Sequence, residues 1–362
     1  MKLSNQLPFY ALCVSSIMLT GCINSTKNNA AEGVILPAQK FDLSQWQINT
    51  PTDIDNDGVV DEIRLKELQS YYHPDYFYIN DEGNMVFAAP NKAITSVNST
   101  NTRSELHNML GGELAQEKDF SNNFALKNNR RAEQFAQIGG NLKATLSVNH
   151  VSKRAKYAEK PTAYSVVVGQ VHAIQDPARQ AEGEGYGWGN EPLKIYFKKW
   201  PNHQYGSVFW NYERNLEKDN PNRIDISYPV WGNDWLDKSE PAKKGIALDE
   251  PFSYEVNVVD NTMYLTFTNE RHGTMKYEIN LANNIDAFGV QDTLDHPKGY
   301  QGEGHFFKAG AYNQCSTADK PSFRYPACPG TGDWKTDKLN GDYTQVTFMA
   351  LTTTSGYLPD NE

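Results

Sequence analysis

The feature that most restricts this chain is alternation at period two, sustained from about residue 40 to near the C-terminus. Residues 141–150 alternate apolar and polar side chains, and so do 193–200 and 207–212. Successive side chains of a strand point to opposite faces, so such segments suit sheets with one face in a core. Residues 252–259 and 263–268 flank Asp260-Asn261-Thr262 and predict a hairpin, and 343–351 predict a late strand. Helical periodicity is thin, with two turns expected over residues 62–70. There is no internal repeat and no second composition regime among the 362 residues. The economical reading is one all-β domain over residues 38–362, built from two packed antiparallel sheets. Three long loops interrupt it: 175–192 and 289–304, Gly-rich with scattered aromatics, and 315–340 with two cysteines. Long loops on a compact β-scaffold are more often functional than idle.

The first residues have a different origin. Lys2 gives a basic start, and the apolar run from Leu7 to Leu19 is too short to span a bilayer, so residues 1–21 predict a signal peptide. The ending Leu19-Thr20-Gly21-Cys22 resembles the bacterial lipobox, which implies cleavage before Cys22 and lipidation of that cysteine. An ordinary signal with a chance cysteine is the alternative. Residues 22–37 are polar and unpatterned, as a tether should be. The expected location is the bacterial envelope, outside or facing the periplasm, with the lipid as the one membrane contact.

Export decides the cysteines. Cys13 leaves with the signal and Cys22 is lipidated, which leaves Cys315 and Cys328. An even pair in an oxidising compartment predicts a disulfide, worth about 3 kcal/mol for a loop of this size. A zinc site would need more Cys or His at ligand spacing nearby. The net charge of −10 argues against nucleic acid as a partner. An anionic substrate would have to be drawn in by a concentrated local basic cleft.

Three segments carry chemistry. In Asn101-Thr-Arg-Ser-Glu-Leu-His107, strand geometry puts Arg103, Glu105 and His107 on one face and Ser104 and Leu106 on the other. A solvated edge strand would show the same pattern. In residues 163–174, Tyr164, Val166, Val168, Gln170, His172 and Ile174 are expected to share a face, with Gln170 and His172 about 7 Å apart. A lone histidine there is more often a satisfied core residue, but the adjacent Gln and the switch from apolar to polar argue for a site. In His305-Phe-Phe-Lys-Ala-Gly-Ala-Tyr-Asn-Gln314, the side chains of Phe306, Lys308, Tyr312 and Gln314 point one way, and Gly310 leaves a gap for a ligand or a neighbouring backbone.

Such a set suits elimination in a uronic-acid polymer. Removing the proton at C5 builds charge onto the adjoining carboxylate, which Arg103 and Gln170 can neutralise. A base takes that proton and an acid protonates the leaving glycosidic oxygen. His172 titrates in a suitable range. Tyr312 suits the acid role, with Lys308 and Arg103 as nearby cations able to lower its pKa.

The motifs Arg103-Ser-Glu-Leu106, Gln170-Val-His172 and Phe306-Phe-Lys-Ala-Gly-Ala-Tyr-Asn-Gln314, in this order, resemble those of the alginate lyases of polysaccharide lyase family 7. The opening Phe41-Asp-Leu-Ser-Gln-Trp-Gln-Ile-Asn-Thr-Pro51 is similar to that family's first strand. The resemblance implies a β-jelly roll whose concave sheet holds the substrate groove, acting on alginate or oligo-alginate as a monomer without a cofactor. It implies Arg103 and Gln170 as neutralisers, His172 as base or its assistant, and Tyr312 as acid or as both acid and base. Glu105, His107, Lys308 and Gln314 match supporting, substrate-binding positions. Two residues depart from the pattern. His107 stands where a second Arg is usual, which would make affinity pH-sensitive if it lines the groove, and Phe306 replaces a Tyr. Val171, between Gln170 and His172, goes in the family with mannuronate-rich substrate.

Other candidates are weaker. Asp53, Asp55 and Asp57 begin like a calcium loop, but Arg64 stands where Glu is required, so a polar turn is preferred. Lys66, Lys194, Lys198 and Lys199 fit solvated faces, though Lys194 and Lys198 could line a groove. A jelly-roll hydrolase needs paired carboxylates, and the expected Glu-x-Asp-x-x-Glu pattern is absent. A non-catalytic polyuronate-binding lipoprotein is the remaining rival. The sequence leaves endo and exo cutting open, although two loops able to wall off a groove end favour exo.

Overall fold

The alternating segments pair into two antiparallel sheets. The computed structural model describes residues 33–112, 120–322 and 324–359. The signal segment, Cys22 and most of the tether lie outside the described residues. The larger sheet runs Asp225–Trp231, Tyr205–Glu213, Leu193–Lys198, Ser165–Ala173, Gly304–Ser316, Asn101–Asn108, Trp46–Asn49 and Glu62–Ile63, with short strands at its margins. The other runs Gly273–Asn280, Thr262–Asn269, Phe252–Val259, Gly140–His150, Tyr343–Thr354, Met85–Pro90 and Phe77–Ile79. Consecutive strands pair at one end of each sheet, while Gly304–Ser316 and Tyr343–Thr354 pair with strands from distant parts of the chain, and the two sheets pack as a jelly roll.

The core lies between the sheets. Leu142, Leu146, Val256 and Phe348 meet Val166, Val168, Val171 and Phe307, all essentially buried. Each such side chain contributes about 1.5–3 kcal/mol through removal from water. The predicted hairpin forms with Asp260 and Asn261 at its turn, and Asp260 takes φ +54°. The two helical turns expected near residue 65 shrink to Leu65–Leu68, because Glu62–Ile63 pairs with Trp46–Asn49 instead.

The second sheet alternates buried and partly exposed residues along Thr262–Asn269. The larger sheet does not: all thirteen residues of Gly304–Ser316 are buried. An antiparallel sheet commonly leaves one face to water. Here loops cover much of that second face, so the groove floor is built from polar side chains that are nearly enclosed.

One expectation about facing is corrected. Val166 and Val168 enter the core, whereas Gln170 and His172 face the groove. The register slips where Ile195 opposes Gly169 and Tyr196 opposes Val167, so Val168 is an extra residue that flips the phase. At Gly169 a Cβ would come within 2.5 Å of the Tyr254 hydroxyl, which donates to the Val168 carbonyl at 3.0 Å. The bulge is thereby tied to the opposite sheet.

Candidate active site

The three motif strands lie side by side, with Gly304–Ser316 in the middle. Lys308 stands opposite His107 on one side and Gln170 on the other. Tyr312 opposes Arg103, Phe306 opposes His172, and Gly310 opposes Glu105. The register therefore gathers the predicted site residues on one face. It also extends the row through Lys194 and Asn211 beyond Gln170, and to Gln47 beyond His107.

Glu105 is the hub of this face. Its buried carboxylate accepts from Gln170 Nε2, from Lys308 Nζ at 3.2 Å and from Arg103 at 3.4 Å. To reach Gln170 it must cross the middle strand beside Gly310. That glycine has φ +146°, and a Cβ on it would sit 2.5 Å from the Ser104 carbonyl. The gap is filled by neighbouring backbone. Arg103 also donates to Ser99 Oγ at 3.0 Å, while its guanidinium carbon lies 4.1 Å over the Tyr312 ring. Its Nε is buried with no hydrogen-bond partner among the described residues. Tyr312 packs against Val167, Tyr196 and Phe209, with Trp235 at the margin. Lys308 is thus spent on Glu105, and Arg103 is the cation against Tyr312.

On the other side three rings are stacked. Phe306 lies between His107, at 3.9 Å and 5° between planes, and His172, at 5.1 Å and 13°. His107 is buried, and burial, reinforced by Lys308, His172 and Arg103, holds its imidazole well below the ordinary histidine range. It therefore stays neutral near neutral pH, and the pH-sensitive affinity expected of it is corrected: desolvation and surrounding cations remove the charge change. Gln314 is buried, donating to the Tyr312 carbonyl at 3.3 Å. Val171 points into the core and cannot touch a sugar.

Sequence reasoning missed a second cluster. His172 Nε2 lies 3.2 Å from Glu191, and its Nδ1 lies 2.7 Å from the Ala173 carbonyl. Glu191 is 3.3 Å from Lys194 Nζ, which also reaches Asp225 at 3.1 Å and Glu213 at 3.8 Å. Arg223 contacts Glu213 at 3.1 Å, and Arg324 donates to Asp225 at 2.6 Å and to Glu213 at 3.4 Å. Burial raises the Glu191 carboxyl, but Lys194, a bond from Glu213 and His172 outweigh it and hold Glu191 well below the usual range. Glu213 goes the other way: burial, only partly offset by Lys194, pushes it up to about 8. Lys194 and Lys198 are accordingly not solvated faces. Lys198 is buried, donating to the carbonyls of Pro161 at 2.7 Å and Trp235 at 2.8 Å. The signal for Lys194 was its place in the row beside Gln170, whereas Glu191 sits at the end of a loop and has no periodic signature.

Cys315 and Cys328 form the predicted disulfide, with Cα atoms 5.3 Å apart. It closes the loop that carries Arg324, whose carbonyl accepts from Thr162 Oγ1 at 3.1 Å. Arg324 thus reaches from the middle strand's end to Asp225 on the far strand of the sheet, spanning the groove face. Asp53, Asp55 and Asp57 bring carboxylate oxygens within 4.8 Å of one another. Asp53 accepts from the backbone of Asp57 at 3.0 Å and Gly58 at 3.1 Å, as a polar turn does.

The geometry has counterparts. A family model described as alginate lyase matches residues 41–355. The chain belongs to the alginate lyases of polysaccharide lyase family 7. It is 33% identical to an alginate lyase of Klebsiella pneumoniae, over 94% of this chain and 98% of the relative. The crystal structure of the exolytic family-7 alginate lyase AlyA5 from Zobellia galactanivorans superposes with TM-score 0.70 and 34% identity, covering 90% of this chain and 99% of that one. The structure of a Klebsiella pneumoniae alginate lyase gives TM-score 0.64 and 30% identity, covering 89% and 99%. This enzyme is a polysaccharide lyase that acts on alginate, and the jelly roll expected from its motifs is the fold it has.

Proposed function

We propose that the enzyme cuts the 1,4-glycosidic bond of alginate by β-elimination, releasing short fragments from a chain end. The observation that carries this is the convergence of Arg103, Gln170 and Lys308 on one carboxylate, Glu105, with Tyr312 beneath the Arg103 guanidinium. Arg103 brings its guanidinium charge and Gln170 keeps an amide proton for the sugar carboxylate, which needs neutralising as the C5 proton leaves. The C5–H electrons form the C4=C5 double bond, the C4–O4 bond breaks, and O4 takes a proton from Tyr312. His172 and Tyr312 are the two groups placed to receive the C5 proton.

Support for end-wise cutting comes from Arg324. With Asp225 and Glu213 it stands over the strands next to Gln170, and neighbouring strands are about 4.8 Å apart, so room beyond the cut is short on that side. The Zobellia galactanivorans relative is described as exolytic, which fits. A preference for mannuronate rests on the Gln170-Val171-His172 motif; since Val171 faces the core, its influence would pass through strand shape. We also propose a monomer, exported and held to the envelope by a lipid on Cys22, because Leu19–Cys22 has the lipobox ending. A Cys22→Ser variant that still incorporates labelled fatty acid overturns that anchor.

Incubation with alginate tests the reaction itself. Ultraviolet-absorbing unsaturated ends are expected; reducing ends alone would mean hydrolysis, and no new ends would mean binding only. Tyr312→Phe should slow their release by about 10²–10⁴-fold. Full activity in that variant sinks the mechanism. An early broad oligomer ladder would sink the exolytic part.

A further inference from the structure

His172 is enclosed on every side that the fold controls. Phe306 stacks on its ring, with His107 on the far face of Phe306. Nδ1 is 2.7 Å from the Ala173 carbonyl, an oxygen that only accepts, so the proton of that contact sits on nitrogen. Nε2 is 3.2 Å from Glu191, which is anchored in turn by Lys194 at 3.3 Å and through its backbone N–H to Glu213 at 3.1 Å. A carboxylate fixed in that way is an acceptor too.

We propose that Glu191 is a positioning residue for the elimination: it occupies His172 Nε2 and fixes the ring, so that His172 cannot take the C5 proton and Tyr312 carries it. This rests on the β-elimination reading above and deepens it. With both ring nitrogens donating, His172 has no lone pair for the C5 proton. Tyr312, acting through its phenolate form, takes that proton, the electron pair becomes the C4=C5 bond, the C4–O4 bond breaks, and the same proton passes from Tyr312 to O4. Tyr312 ends as it began, and no co-reactant is needed. The cluster behind Glu191 acquires a purpose as well. Lys194, Glu213, Asp225, Arg223 and Arg324 form a braced support for one carboxylate oxygen, and positional errors of about 1 Å at a reacting site can cost up to about a hundredfold in rate.

The test uses the whole enzyme with alginate and histidine labelled with ¹⁵N. In the wild type at pH 7, His172, identified by its loss in His172→Asn, should show N–H signals from both ring nitrogens. Glu191→Gln, which keeps shape but loses the charge, should lose the Nε2 signal and lower kcat by about 10–100-fold, with KM held within about twofold. Glu191→Asp should recover part of the rate. One N–H on wild-type His172, or unchanged kcat in a folded Glu191→Gln variant beside an impaired His172→Asn, overturns the proposal. If Glu191→Gln does not fold, the wild-type spectrum alone decides. If both nitrogens are protonated but His172→Asn is fully active, it is the catalytic role of His172 in the parent reading that fails, and the role of Glu191 fails with it.

Discussion

Two carboxylates flank the groove floor, Glu105 buried and Glu191 partly exposed, and they teach different things. Glu105 sits in a strand, two residues from Arg103, and gathers Arg103, Lys308 and Gln170. Glu191 sits at the end of a long loop and meets His172 and Lys194 from the opposite side. Each pairs with a buried lysine, and those lysines flank Gln170 in register, Lys308 on one side and Lys194 on the other. The first acid holds the donors that the proposed reaction turns on a substrate carboxylate. The second holds a histidine and is itself braced by a charged cluster, which includes Arg324 from the disulfide-closed loop. In the proposed mechanism the strand-borne carboxylate organises what binds, and the loop-borne one lets the covering loops influence the chemistry.

The comparison can be broken most forcefully at Glu105. Glu105→Ala leaves Arg103 and Lys308 buried without their carboxylate, and removing one partner of such a pair costs about 3–5 kcal/mol. Urea unfolding should show that loss together with collapse of lyase activity, whereas Glu191→Gln should lose rate with far less stability. Equal destabilisation would erase the distinction. Replacing both Cys315 and Cys328 by Ser comes next, with a loss of about 2–4 kcal/mol and longer products as the Arg324 loop loosens. Unchanged early products would separate the loop from end-wise cutting.

The pH response sharpens the same contrast. Glu213 is raised from 4.5 to about 8 by burial, so the fold keeps a proton that the unfolded chain has released over that window. Stability tied to this proton is full below about pH 4.5 and is lost as pH rises towards 8. Glu213→Gln should flatten the decline, measured by thermal unfolding between pH 5 and 8; an unaltered slope would place the proton elsewhere in the cluster. The smallest effect is expected at Arg324, which is about one-third exposed. Arg324→Ala should cost about 1 kcal/mol while shifting early products towards a ladder. A change in stability without one in products would make Arg324 a brace alone.

Alternation and local motifs determined a great deal by themselves. They placed Arg103, Glu105 and His107 on one face, set Phe306, Lys308 and Tyr312 on another strand's face, and named the family, because strand periodicity and short-range chemistry are written in consecutive residues. They also pointed to the Cys315–Cys328 disulfide, the pair that an exported, lipidated chain would keep. Only the tertiary structure decided the rest. The extra residue at Val168 reversed the facing of half a strand, and no periodic rule announces a bulge that Tyr254 fixes from the opposite sheet. His107 became a neutral stacking partner, because burial and nearby cations set its charge. Glu191, Glu213, Asp225 and Arg324 meet from separate strands and loops, and their contacts arise from closing the chain over the sheet. Side-chain direction along a strand is a local property; the dielectric and the partners a side chain finds are properties of the closed fold.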